Sequence, residues 1–151
     1  MDAPLYLCLS VAAALFVLWD ATRRTAARAG WAVASLLAWP IALPFWMATR
    51  PLRAGERRAG GRAWNVLRHF ALAWTILWVA QMLLTLGVGA VVAGTARSEA
   101  DRVSGLGMVV LMTGIYAVLW FFPTVASLLL GLALRKPAVV ERGPGPTALA
   151  T

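Results

Sequence analysis

The stretch 70–94 reads FALAWTILWVAQMLLTLGVGAVVAG and contains no charged side chain. About 20 consecutive apolar residues are enough for a helix to cross the ~30 Å hydrocarbon layer of a bilayer. A run of this length can therefore span that layer with some tilt. The stretch predicts a transmembrane helix.

Three more apolar runs, 3–19, 31–48 and 106–134, have the same character. Hydrophobic residues make up 61% of the chain and charged residues only 13%, against about 25% charged in soluble domains. We therefore predict an all-α membrane protein, a bundle of four transmembrane helices, in a single domain over 1–136. The Pro- and Gly-containing remainder, 137–151, is expected to be a disordered tail.

The longest polar segment, 49–69, separates the second and third apolar runs and predicts a basic interfacial loop. The formal net charge of the chain is +8, and the loop contains a single acidic residue, Glu56. Its basic side chains are candidates for binding anionic phospholipids at the bilayer surface: Arg50, Arg53, Arg57, Arg58, Arg62 and Arg68. Because basic loops beside spans are expected in any case, the charge does not indicate a nucleic-acid partner.

The distribution of basic residues allows two topologies, since such residues prefer the cytoplasmic side. Four crossings with both termini cytoplasmic place nine Arg and Lys inside and five outside. Pro40 and Pro44 predict that the second run is kinked or re-entrant. A re-entrant second run would leave three crossings, an outer N-terminus, and twelve basic residues inside against two outside. The sequence favours four crossings, because the second run has enough apolar length and a tryptophan at each end.

Small residues in the third run predict close helix packing. They are Gly87, Gly89, Ala90, Ala93 and Gly94. Such a face suits either the chain's own helices, which we favour, or a second copy of the protein.

Two polar side chains inside the third run, Gln81 and Thr85, could line a polar path. Structural hydrogen bonding across helices is the simpler role for a buried amide. At the end of the first run, Asp20 is expected to pair with Arg23 or Arg24 or to cap the connecting segment.

The sequence offers few candidates for catalytic or metal-binding residues. A metal site needs several ligands together, yet Cys8 and His69 are the only residues of their types. No acidic residue lies well inside an apolar run, where proton-coupled transporters place one. We expect no enzyme activity, no metal and no cofactor.

Residues 19–53 carry a resemblance to a known membrane hairpin. Trp19 and Asp20 are followed by a basic connection, Trp31, a Trp39–Pro40 pair and a closing Arg50. This pattern resembles the N-terminal membrane hairpin of phospholipase D-type cardiolipin synthases and related small bacterial membrane proteins. The family's catalytic His-x-Lys-x4-Asp motif is absent, so the resemblance implies only a membrane-anchoring hairpin.

These observations predict a small polytopic protein of the cell membrane, in particular a bacterial inner membrane. We expect it to be non-enzymatic and to act through lipid or protein contacts, as an accessory or structural subunit. Its partners would be the bilayer, anionic phospholipids, and either another copy of itself or another membrane protein. The alternative is a small transporter or pore with its polar path near Gln81.

Overall fold

The computed structural model describes residues 3–24, 26 and 29–144, which are mostly helical. In chain order the elements are α1 (Ala3–Thr22), α2 (Ala29–Thr49), β1 (Arg57–Gly60), α3 (Gly61–Thr95), α4 (Glu99–Ala133) and β2 (Lys136–Arg142). Within the described residues, four helices are long and apolar enough to cross a membrane, as the four apolar runs predict.

The helices form an open bundle with α3 at its centre. α2 and α4 both pack against α3, whereas α1 packs mainly against α2. In the described part of the chain, α4 contacts neither α1 nor α2. The predicted bundle is therefore present, but its fourth helix is attached to the others through α3 alone.

α2 is folded back on itself at Ala38. The backbone there is non-helical, with φ −143° and ψ 52°. The ring centroids of Trp31 and Trp46 lie 5.8 Å apart, whereas a straight helix would separate two residues at this spacing by about 22 Å. The two arms of α2, 29–37 and 39–49, therefore run in opposite directions.

Pro40 explains the position of the fold. Proline has no backbone N–H and its ring clashes with the carbonyl four residues earlier, so a helix cannot continue undisturbed from Leu36 through Pro40. The same ring is well suited to the first turn of a new helix, and Pro40 begins the second arm in this way. At the fold, the Tyr6 hydroxyl of α1 donates a hydrogen bond of 3.1 Å to the Leu37 carbonyl.

Both ends of α2 consequently lie beside the C-terminal end of α1. Trp46, near the end of the second arm, donates to the Asp20 carboxylate of α1 at 3.1 Å. The second apolar run is thus long enough to cross a bilayer, but it folds back at Ala38 and returns to the end of the bundle where it began. The folded-back path agrees with the prediction, made from Pro40 and Pro44, that this run is kinked or re-entrant.

The basic loop is shorter than the predicted 49–69. Only 50–56 is irregular; β1 follows, and α3 already begins at Gly61. Positive φ angles at Gly60 (92°) and Gly61 (81°) make the sharp turn from strand to helix. The Asn65 amide fixes this turn by donating to the carbonyls of Ala59 (3.0 Å) and Gly61 (2.7 Å).

The predicted disordered tail is wrong for its first part, because β2 pairs antiparallel with β1. Arg58 lies opposite Glu141, and their side chains form an ion pair of 3.1 Å. The Gly143 amide extends the contact by donating to the Glu56 carbonyl at 3.0 Å. Residues 145–151 lie outside the described residues.

α4 begins at Glu99, seven residues before the apolar run that predicted it. Ser98 is its N-cap: the hydroxyl accepts a 3.1 Å hydrogen bond from the Asp101 amide. The two acidic residues of the first turn, Glu99 and Asp101, face the positive end of the helix dipole.

The protein interior is small. One group of buried side chains joins Ala13, Trp39, Ala73 and Leu77 across three helices. On the outside, the most apolar 18-residue part of α4 contains no buried residue. In water, such a surface would expose far more contiguous apolar area than soluble proteins show.

Candidate anion-binding site

The fold collects the basic residues at one end of the bundle. This basic end comprises the C-terminal end of α1, both ends of α2, the two strands, the first turns of α3 and the residues that follow α4. Its described basic residues are Arg23, Arg24, Arg50, Arg53, Arg57, Arg58, Arg62, Arg68, Arg135, Lys136 and Arg142. Only Arg97 and Arg102 among the described basic residues lie at the opposite end, and Arg28 is outside the described residues.

Asp20 is the centre of a buried ionic cluster at this end. Its side chain is almost fully buried, yet its carboxylate accepts hydrogen bonds from Arg24 Nε (2.9 Å), Arg50 Nη1 (2.8 Å) and Arg53 Nη2 (3.3 Å). The Trp46 indole is a further donor, at 3.1 Å. The pairing of Asp20 with Arg24 confirms one of the predicted roles of this aspartate.

Arg24 connects this carboxylate to a second one. Its guanidinium donates to both oxygens of Glu56, each at 2.7 Å, and to the Pro51 carbonyl at 2.6 Å. These hydrogen bonds lower the pKa of Glu56 to about 2 and raise the pKa of Arg24. We call these residues, Asp20, Arg24, Trp46, Arg50, Arg53 and Glu56, the Asp20 cluster.

Beside the Asp20 cluster lies a cavity of about 490 Å³, the basic cavity. Five arginines line it: Arg50, Arg57, Arg58, Arg68 and Arg135. Glu56 is the one carboxylate among its described lining residues, and Arg24 already neutralises it. The cavity therefore carries a large excess of positive charge.

The five arginines differ in how far they are already occupied. Arg58 donates to the Glu141 carboxylate and to the carbonyls of Met47 (3.3 Å) and Arg50 (2.8 Å). Arg50 is bonded to Asp20, although its Nε is buried without a partner among the described residues. These two arginines are structural as well as cavity-lining.

The other three cavity arginines, Arg57, Arg68 and Arg135, are exposed. Arg135 lies over the Trp64 ring at 5.6 Å from its centroid, a cation–π contact that directs it to this cavity. Arginine forms paired hydrogen bonds with carboxylate or phosphate oxygens. Three side chains of this kind around one cavity can bind an anion with several acceptor oxygens.

His69 completes the lining and has a defined tautomer. Its Nδ1 lies 2.6 Å from the Asn65 carbonyl, which can only accept a hydrogen bond, so Nδ1 carries the proton. Nε2 is then the nitrogen free to contact a ligand in the basic cavity.

The structure divides the six arginines predicted to bind lipid. Four of them line the basic cavity, while Arg53 is bonded to Asp20 and Arg62 is exposed in the first turn of α3. Sequence reasoning missed Arg135, because it is remote in the chain from the predicted loop. The antiparallel pairing of α3 with α4 brings it there.

The small residues of α3 have unequal roles. Gly89 is buried directly against Val109 of α4, so any side chain there would collide with that valine. Gly87 and Gly94 have open space around them, Ala90 is exposed and Ala93 is half-buried. Gly89 therefore serves the packing of this chain's own helices.

Gln81 and Thr85 do not share an environment. Gln81 is 1% exposed, whereas Thr85 is half-buried and lines a groove between α3 and α4. Nearby, Thr75 accepts a 3.0 Å hydrogen bond from the Trp120 indole of α4. In the part of the chain that the structure describes, no group of three or more His, Cys, Asp or Glu side chains could hold a metal ion.

Comparison with protein-family models, curated proteins and solved structures finds no match to this chain.

Proposed function

We propose that this chain is an integral membrane protein of three crossings, α1, α3 and α4, with α2 as a re-entrant helical hairpin. The basic end is the cytoplasmic one, and the N-terminus lies on the opposite side. The folded-back path of α2 supports this arrangement, because it places the connections on both sides of α2 at the same end. Twelve of the fourteen Arg and Lys residues then lie on the cytoplasmic side, which agrees with the preference of basic residues for that side.

The outer surface of the helices supports a lipid environment. Leu37, Val110 and Leu129 are all more than 60% exposed. Burial of such side chains in acyl chains contributes about 1.5–3 kcal/mol each relative to water.

The function that the geometry supports best is binding of anionic phospholipids at the cytoplasmic surface, by a non-enzymatic accessory or structural membrane protein. The observation that carries this proposal is the basic cavity with its five arginines. Each Lys or Arg near an anionic membrane surface contributes about 1 kcal/mol of attraction. The resemblance of residues 19–53 to a membrane-anchoring hairpin is compatible with the same role.

Cysteine labelling tests the topology. In a Cys8→Ala background, single cysteines replace Arg23, Ala54 or Arg97, and intact cells are treated with a membrane-impermeant maleimide. We expect labelling of Arg97→Cys from outside, and labelling of Arg23→Cys and Ala54→Cys only after permeabilisation. External labelling of Arg23→Cys would restore the four-crossing topology, since only there does the first connection lie outside.

Lipid preference tests the function. The full chain is reconstituted into vesicles containing brominated phosphatidylglycerol or brominated phosphatidylcholine, and quenching of tryptophan fluorescence is measured. We expect stronger quenching by the anionic lipid, with the difference diminishing at high salt because exposed charges are screened. Equal quenching by the two lipids would contradict the proposed function.

A further inference from the structure

Three openings in the structure meet at His69. The basic cavity is the first. The other two are clefts. The first cleft, of about 220 Å³, lies between α1, α2 and α3, and the second cleft, of about 340 Å³, lies between α3 and α4. His69 lines all three, and Leu72, one turn further along α3, lines both clefts.

The first cleft is almost entirely apolar. Phe16, Leu43 and Ile76 line it, and it shares Met47 as well as His69 with the basic cavity. From His69 to Ile76 it follows α3 for about two turns, or ~10 Å toward the middle of the bundle.

The second cleft follows the other flank of α3. It shares Arg68 and His69 with the basic cavity and continues past Leu72 to Thr75, with Leu128 and Thr124 of α4 on its other side. Thr75 and Thr124 add two hydroxyls to this cleft. The Thr75 hydroxyl donates to the Ala71 carbonyl, and the Thr124 hydroxyl is buried.

We infer that the basic cavity and its two clefts form one binding site for a single phosphate-bearing, two-chain lipid. The phosphate lies among Arg57, Arg68 and Arg135, and one acyl chain lies in each cleft. This inference depends on the proposed function, and it replaces a general attraction to anionic membrane with a defined site of one lipid per chain.

The chemistry of the cavity limits the headgroup. Arg50 and Arg58 are paired with carboxylates, but Arg57, Arg68 and Arg135 form no ion pair within the described residues. These three positive charges repel a choline or ethanolamine cation, so the ligand is a phosphatidic-acid or phosphatidylglycerol type of lipid. The two clefts distinguish a lipid from free phosphate, because a soluble anion would use only the basic cavity.

The experiment is native mass spectrometry of the full chain in a non-ionic detergent, titrated with dioleoyl phosphatidic acid, phosphatidylglycerol or phosphatidylcholine. A parallel titration uses inorganic phosphate. We expect one bound anionic lipid per chain at saturation, no comparable adduct with phosphatidylcholine, and weak competition by inorganic phosphate. Competition by phosphate as effective as that by lipid would overturn the assignment to a lipid.

The charge of the site is tested by the double variant Arg68→Gln/Arg135→Gln. Its matched control, Arg62→Gln/Arg97→Gln, removes the same charge from exposed positions outside the cavity. We expect lipid affinity to fall at least about tenfold in the first variant only, because charge-assisted bonds to phosphate are lost. An equal fall in lipid affinity in both variants would mean that general attraction to surface charge holds the lipid. That result would overturn the inference, while the proposed function would stand.

The clefts are tested by Leu72→Trp, which places an indole where both clefts begin. Leu72 is 58% exposed, so the change leaves the protein interior intact. We expect weaker binding of dioleoyl phosphatidic acid with unchanged binding of inorganic phosphate. Unchanged lipid binding would show that the acyl chains lie elsewhere.

Discussion

At the scale of residues, the Asp20 cluster is the least expected feature of the molecule. Removing charged groups from water is costly, and their attraction repays that cost only with good geometry and further hydrogen bonds. Asp20 meets this condition, since four donors from three segments surround it. The cluster therefore acts chiefly by specifying one arrangement, in which the second arm of α2 and the loop after it lie against α1.

Glu56 makes part of this arrangement sensitive to acid. Because the hydrogen bonds from Arg24 lower its pKa from 4.5 to about 2, the folded protein binds fewer protons at Glu56 than the unfolded chain. The stabilisation of the folded state by the Glu56–Arg24 pair is fully present above pH ~4.5 and is lost as the pH falls toward 2. We expect the difference in Tm between the natural chain and Glu56→Gln to be constant from pH 5 to 7 and to disappear near pH 2.

The matched control is Glu99→Gln, which removes an exposed glutamate 3.7 Å from Arg102. Its Tm should follow that of the natural chain throughout, because exposed ion pairs contribute little. A Glu56→Gln difference that persisted unchanged at pH 2 would contradict the pairing with Arg24. Thermal unfolding in detergent gives all three curves.

The sequence predicts only the local part of these contacts. Asp20 and Arg24 are four residues apart in one stretch, so their pairing follows from helical spacing. The contacts of Asp20 with Arg50 and Arg53 depend on the path of α2, and no local pattern contains that path. The same reason explains why Arg50 and Arg53 were predicted to face lipid headgroups.

At the scale of elements, α2 shows how one apolar run allows two topologies. Trp31 and Trp46 are interface-type residues at the two ends of an apolar run, and this pattern is typical of a crossing. Both lie at the same end of the bundle and contact each other. Pro40 indicated the alternative, but a proline alone does not distinguish a kinked crossing from a hairpin.

The pairing of α3 with α4 depends on Gly89. Gly89→Leu should lower the free energy of unfolding by about 1–3 kcal/mol, because the new side chain must displace Val109. Gly87→Leu, two residues earlier with open space around it, is the control and should be neutral or slightly stabilising. Thermal unfolding of both variants in one detergent is the measurement, and equal destabilisation would argue against this close contact.

At the scale of the whole molecule, the distribution of charge favours the proposed topology of three crossings. Counting basic residues already gave twelve against two for three crossings, a stronger asymmetry than nine against five. That count uses every loop at once, whereas the prediction of four crossings depends on one run in isolation. Helix number and the basic end were thus predictable, but the cavity was not, since it requires Arg135 to meet Arg57 and Arg68 across the fold.

The β1–β2 pair closes the basic end, and truncation tests its importance. A chain that ends after Lys136 loses β2 and the Glu141 partner of Arg58. We expect trypsin to cleave after Arg57 and Arg58 several-fold faster in this variant, because cleavage requires local opening of the strand. A chain that ends after Pro144 retains β2 and is the control; equal cleavage rates in the two would contradict a role for β2.

The composition of the Asp20 cluster also sets an order of events while the chain is being made. Asp20 and Arg24 leave the ribosome well before Arg50, Arg53 and Glu56, so the newly made α1 carries only part of the ionic cluster. Synthesis of the next thirty or so residues supplies the missing partners, which lie at the same end of the bundle. The ionic contacts that hold α2 and the loop after it against α1 can therefore be complete only after residue 56 has been translated.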